Sequence, residues 1–114
     1  EIAKKIIESQ ATAAAENPFA FGYLLNVLYL YYQKPTEITI INDKNFELVS
    51  SLRKKFLPES IMVLVANKNN LDALSKYAFF SGKEFQDDKT NVFVCKNFSC
   101  SLPLSDLSEI EKEL

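Results

Sequence analysis

Apolar residues recur near the start of the chain at Ile2, Ala3, Ile6, Ile7, Ala13 and Ala14, the spacing of one face of an α-helix. The alanines favour helix, and Lys4, Lys5 and Glu8 fall on the polar side. Asn17-Pro18 reads as a stop and a restart, because Asn suits an N-cap and Pro has no N–H to leave unpaired at the first helical position. A second helix is expected from Pro18 to about Gln33. Phe21, Leu24, Leu25, Leu28, Tyr31 and Tyr32 form one apolar stripe along it, and Phe19, Tyr23, Val27 and Leu30 form another beside it. Together they cover more of the circumference than a surface helix needs. This helix is therefore either central to the domain or packed against something outside the chain.

Beyond Pro35 the pattern alternates between strand and helix. Glu37 to Ile41 reads as a strand. Asn42-Asp43-Lys44-Asn45 follows as a polar turn, and Phe46, Val49, Leu52 and Phe56 mark a helix closed by Leu57-Pro58. Ile61 to Ala66 is continuously apolar, as in a strand covered on both faces. Asn67-Lys68-Asn69-Asn70 is a second polar turn before a short helix from Leu71 to about Ala78. Phe79 to Lys89 reads as a loop turning at Ser81-Gly82, and Asn91 to Cys95 as a third strand. Asp106-x-x-Glu109 is a capping box for a last helix with Leu107, Ile110 and Leu114 on one face.

Strands alternating with helices predict an α/β fold with right-handed crossovers. The expectation is a small three-stranded parallel sheet of order 2-1-3 with flanking helices, preceded by an N-terminal α-helical pair. The boundary is expected between a helical segment, 1–34, and an α/β domain, 35–114. The chain opens at Glu1 in what reads as mid-helix, so a piece of a longer protein is expected.

Composition narrows the chemistry. The chain has 114 residues and no His. That excludes a Ser-His-Asp or Cys-His nucleophile pair, a His-ligated zinc and an imidazole pH switch within it. Its net charge of -2 offers no basic footprint for nucleic acid. The most apolar stretch, Phe19 to Tyr32, is interrupted by Gly22 and Asn26. It is too short for a membrane helix and too rich in Tyr for a signal-peptide core. Two cysteines do not make a secreted disulfide scaffold, and the chain reads as cytoplasmic. With only two glycines it holds neither G-x-G-x-x-G nor a P-loop, and no cofactor or metal is expected.

Two sets of residues remain as candidates. In an open α/β sheet ligands bind beyond the carboxyl ends of the strands, which here places Asp43, Asn67 and Asn97 on a candidate ligand edge. Asn and Asp at such positions are also ordinary turn formers and helix caps. The second set is Cys95-x-x-x-x-Cys100. The pair reads either as a disulfide, contributing about 2 kcal/mol on a chain-entropy basis, or as two reduced thiols with Cys95 packed as a small apolar residue. A metal site would need two more ligands. A redox pair would lack the C-x-x-C spacing at a helix start. The acidic groups Glu84, Asp87, Asp88 and Glu109, Glu111, Glu113 read as a solvated loop and a helix surface.

At the third strand the residues resemble a family. Val92-Phe93-Val94-Cys95-Lys96-Asn97-Phe98-Ser99-Cys100-Ser101-Leu102-Pro103, followed by Asp106, is similar to the C-terminal signature of the thioredoxin domain-containing proteins of the YyaL and spermatogenesis-associated type. Asn17-Pro18-Phe19-Ala20-Phe21-Gly22, Arg53-Lys54-Lys55-Phe56-Leu57-Pro58 and Ser81-Gly82-Lys83 resemble other landmarks of that family. Asn42 departs from it, since a small residue, often Gly, is expected before Asp43. The resemblance implies a parent with a thioredoxin-like domain, an α/α toroid similar to sugar epimerases and six-hairpin glycosidases, and a small C-terminal α/β region. This chain would hold the last toroid helices and that region. Its expected partner is the remainder of the parent chain, and its Phe19–Tyr32 helix is a candidate surface for self-association. The leading function is then a non-catalytic structural one. The alternative is a redox module in which Cys95 and Cys100 cycle between dithiol and disulfide.

Overall fold

The computed structural model describes residues 1–97 and 99–114. Phe98, which belongs to the cysteine signature, lies outside the described residues. The chain divides into two compact units, Glu1–Pro35 and Thr36–Leu114.

The first unit holds α1 (Ile2–Glu16) and α2 (Gly22–Gln33). In α1 only Ile7 and Ala14 are buried, and the pairs Lys4–Glu8 (3.7 Å) and Lys5–Glu1 (3.5 Å) run along its polar side. Pro18–Phe21 is a turn rather than the first turn of α2: Ala20 N–H donates to the Asn17 carbonyl and Phe21 N–H to that of Pro18. No residue of α2 is fully buried. Phe19 is 99% exposed and Tyr23 85%.

The second unit is built on β1 (Thr36–Ile41), β2 (Ser60–Val65), β3 (Asn91–Lys96) and β4 (Ser99–Cys100), with α3 (Glu47–Arg53), α4 (Lys68–Leu74) and α5 (Leu107–Glu113). The strands form one sheet of order β2-β1-β3-β4. β2 runs parallel to β1, while β3 runs antiparallel to β1 and β4 antiparallel to β3. This overturns the expected three-stranded parallel sheet of order 2-1-3: the sheet has four strands and is mixed.

The reason lies in the connection from β2 to β3. A parallel β3 would need one passage back along the sheet, as α3 provides between β1 and β2. Here the seven-residue α4 covers only about 10 Å. The chain then turns through a 3-10 segment, Ala78–Phe80, and climbs back to the carboxyl end of β1. Asn42 fastens it there, donating from Nδ2 to the carbonyls of Gln86 (2.7 Å) and Asp87 (3.0 Å), and Thr90 Oγ1 donates to the Asn42 carbonyl (2.9 Å). β3 therefore starts where β1 ends, with Asn91 opposite Ile41.

β4 arises from a tight reversal. Lys96 pairs with Ser99 and Cys95 with Cys100, and Asn97 takes the left-handed conformation (φ 51°) that Asn tolerates at turns. The returning segment meets β3 again at Leu104, whose N–H and carbonyl both bond to Val92 (2.8 and 2.7 Å). Between these pairings it carries one residue more than β3 does, and Ser101 Oγ accepts the Val94 N–H (3.1 Å).

Alternation along the strands sorts the core into two layers. On one face Ile38, Ile40, Val92 and Val94 pack with Leu52 of α3 and Ile110 of α5. On the other, Ile41, Val65, Phe93 and Cys95 pack with Leu71 of α4 and Phe80. The second layer carries the cysteines.

Candidate functional site

The register places Ile61, Glu37, Cys95 and Cys100 in one row across the sheet. Cys95 is 3% exposed, whereas Cys100, on the edge strand, is open to solvent. Their Sγ atoms lie 2.11 Å apart, at bonding distance.

A cation meets this row from above. Gly82 adopts a left-handed φ of 73°, which costs Gly little, and the turn delivers Lys83 over the sheet. Its Nζ donates to the Phe79 carbonyl and stands 3.8 Å from Cys100 Sγ. It also lies over the rings of Phe79 (5.3 Å) and Phe93 (5.6 Å), an arrangement that favours a cation. Burial holds the Lys83 amine below the usual lysine range, and the Glu37 carboxylate pulls in the opposite direction. A positive charge near a sulfur favours its thiolate form, so the reduced state of Cys100 is the one this placement would assist.

Beside Cys100 runs a groove of about 300 Å³ between the 81–86 loop and residues 100–103, floored by Phe93. Asn91 lines it too. This side chain is 2% exposed, and its Oδ1 has no hydrogen-bond partner among the described residues. A buried acceptor left unpaired is costly. Cys100 and Asn91 thus mark different parts of one groove.

The candidate ligand edge is not assembled as one site. Asp43 and Asn67 follow β1 and β2, whose carboxyl ends adjoin through the Asn42 N–H to Val65 carbonyl bond (2.9 Å). Asn97 lies at the opposite end of the sheet, because β3 is antiparallel. Each residue also has a local structural task. Asp43 Oδ2 accepts the Val49 N–H at the start of α3 (2.9 Å), Asn67 Oδ1 caps α4 through the Asn70 N–H (2.9 Å), and Asn97 forms the hairpin reversal. A polar cavity of about 460 Å³ adjoins Asp43, lined also by Lys44, Ser51, Asp88, Thr90 and Ser105.

Sequence reasoning missed Lys83, Glu37 and Asn91 as neighbours of the cysteines. Only the Ser81-Gly82-Lys83 turn carried a signal. Among the described residues no group of three or more His, Cys, Asp or Glu side chains could hold a metal ion. Among the same residues no helix is long and apolar enough to cross a membrane.

Comparison with known proteins adds one relative. The chain is 24% identical to human spermatogenesis-associated protein 20 over 101 residues, which is 85% of this chain and 13% of that protein. The chain therefore spans a small part of the relative it matches. No family model matches the chain, and no solved structure does.

Proposed function

We propose that the chain acts as a C-terminal structural region of a larger protein of the thioredoxin domain-containing, spermatogenesis-associated type. The observation that carries this reading is the match to 13% of the length of human spermatogenesis-associated protein 20. The aromatic surface of the first unit supports it. Phe19, Tyr23 and Tyr32 are exposed, and such a surface is usually covered by something. In this reading the remaining helices of an epimerase-like or glycosidase-like toroid cover it.

The test uses the parent protein. Replacing Phe19 and Tyr23 by Ser should lower the thermal midpoint of the parent and leave that of the 114-residue chain unchanged at concentrations dilute enough for the chain to be monomeric. An unchanged parent would refute the buttressing role.

A second reading is favoured by the cysteine geometry: Cys95 and Cys100 form a disulfide that cycles with the dithiol. The pairing of Cys95 with Cys100 across β3 and β4 and a lysine ammonium beside the exposed sulfur support it. Mass spectrometry of the unreduced chain checks it, because the disulfide makes the chain two hydrogens lighter and blocks alkylation.

A further inference from the structure

We propose that Cys100 is a peroxide-reactive thiol and Cys95 its resolving partner, so that a hydroperoxide closes the disulfide at the edge of the sheet. The inference rests on the redox reading of Cys95 and Cys100 and adds to it the oxidant, the order of the two sulfurs and the group that activates the first.

The order follows from burial. A thiol that reacts with a peroxide must be open to solvent and held as thiolate, and it is protected from further oxidation by a second thiol within reach. The two cysteines divide these requirements. Cys100 is exposed on the edge strand, on the wall of the groove of about 300 Å³. Cys95 is 3% exposed, in the core layer that holds Phe80 and Phe93. Apolar surroundings keep such a thiol neutral. The first attack therefore comes from Cys100.

Lys83 supplies the charge. Its Nζ stands 3.8 Å from Cys100 Sγ, and among the described residues it is the charged group in contact with that sulfur. The Phe79 carbonyl and the rings of Phe79 and Phe93 hold the ammonium in place. The acidic groups nearby are Glu84 on the groove wall and Glu37 in the cysteine row. Glu37 lies two strands from Cys100, about 10 Å away.

The Cys100 thiolate attacks one oxygen of the peroxide. A sulfur–oxygen bond forms and the oxygen–oxygen bond breaks. The other oxygen leaves as hydroxide and becomes water with the proton that Cys100 had released. The Cys95 sulfur then attacks the sulfenic acid on Cys100. The sulfur–sulfur bond forms, the sulfur–oxygen bond breaks, and the second hydroxide becomes water with the proton of Cys95. One hydrogen peroxide is reduced to two waters as two thiols are oxidised to a disulfide. Cys95 stands directly opposite Cys100 in the register. Such neighbours have Cβ atoms about 5 Å apart, so the second step needs no strand movement.

The choice of oxidant follows from the single cation. Sulfur–oxygen and oxygen–oxygen bonds are short, so one ammonium can serve both the attacking sulfur and the departing oxygen. In attack on a disulfide the departing sulfur lies farther off and needs a cation of its own. Among the described residues lining the groove, Lys83 is the only cation.

The test starts from the reduced 114-residue chain at pH 7, with hydrogen peroxide as oxidant and dimedone as the trap for sulfenic acid. In Cys95→Ser, peptide mapping should find dimedone on Cys100; in Cys100→Ser, Cys95 should stay unmodified. The wild-type chain should lose two hydrogens and take up no dimedone. Cys100 should react about tenfold faster than N-acetylcysteine, as a thiol pKa one unit lower would give. Lys83→Gln should remove that advantage and Lys83→Arg should restore it. Near-UV circular dichroism establishes that each variant is folded. Oxidised glutathione, run in parallel, should show a smaller advantage over N-acetylcysteine than peroxide does. Dimedone on Cys95, a Cys100 no faster than N-acetylcysteine, or an unchanged rate in Lys83→Gln would overturn the inference. If oxidised glutathione closes the disulfide and peroxide does not, the inference fails and the redox reading stands. If neither oxidant closes it, both fail.

Discussion

The side-chain amide of Asn42 donates to the carbonyl of Gln86 at 2.7 Å, joining the end of β1 to the loop that feeds β3. The same amide reaches Asp87, and Asn42 itself is left-handed with φ 61°. Asn tolerates that conformation better than other non-glycine residues, and Gly tolerates it best. Asn42→Ala loses two hydrogen bonds and adds left-handed strain, for an expected loss of about 2–4 kcal/mol. Asn42→Gly loses only the bonds, about 1–2 kcal/mol on the same basis. Urea unfolding of both variants checks the order. Equal losses would show that the backbone angle contributes nothing.

Thr39 offers a gain. It is fully buried between Val63 and Phe93 in the adjoining strands, and its hydroxyl has no hydrogen-bond partner among the described residues. Thr39→Val keeps the branched shape and removes the unpaired group. A stabilisation of about 1 kcal/mol is expected. A lower urea midpoint than wild type would contradict it.

Asp106 sets a pH dependence. Hydrogen bonds from the Ser108 hydroxyl and N–H hold its carboxyl below the usual aspartate range. A group whose folded pKa is depressed adds stability above its unfolded pKa, about 3.9 for Asp. That stability is lost as pH falls towards the folded value. Asp106→Ala should therefore be less stable than wild type at pH 7, and the difference should shrink below about pH 4. A gap that stays constant down to pH 2 would rule out this linkage.

The aromatic surface of the first unit predicts concentration-dependent association. Sedimentation equilibrium should show a weight-average mass that rises with concentration for the 114-residue chain. Replacing Phe19 and Tyr23 by Ser should bring it back to monomer. A wild-type monomer throughout would remove self-association from consideration.

Periodicity located the strands and the short helices because those signals are local. Val92 and Val94 face one core layer, and Phe93 and Cys95 the other, as a strand buried on both faces requires. Direction was not local. The antiparallel run of β3 depends on Asn42 catching residues 86 and 87, a contact between distant stretches that no window of sequence contains. β4 was hidden for another reason: Asn97 stood between two cysteines that read as the end of a strand, although Asn at a tight reversal was the available clue. The candidate site shares the first difficulty. Lys83 and Cys100 meet only after the 79–90 segment folds back over the sheet.

The sheet order also bears on how quickly the unit can assemble. Ile38 is flanked by Met62 on one side and Val94 on the other, so the central strand has no partner nearby in the chain. Among the described residues, only β3 and β4 pair across a short turn. Each remaining strand pairing must close a long loop before any contact rewards it. A topology of this kind makes the unit a slower folder than a helical bundle of the same length.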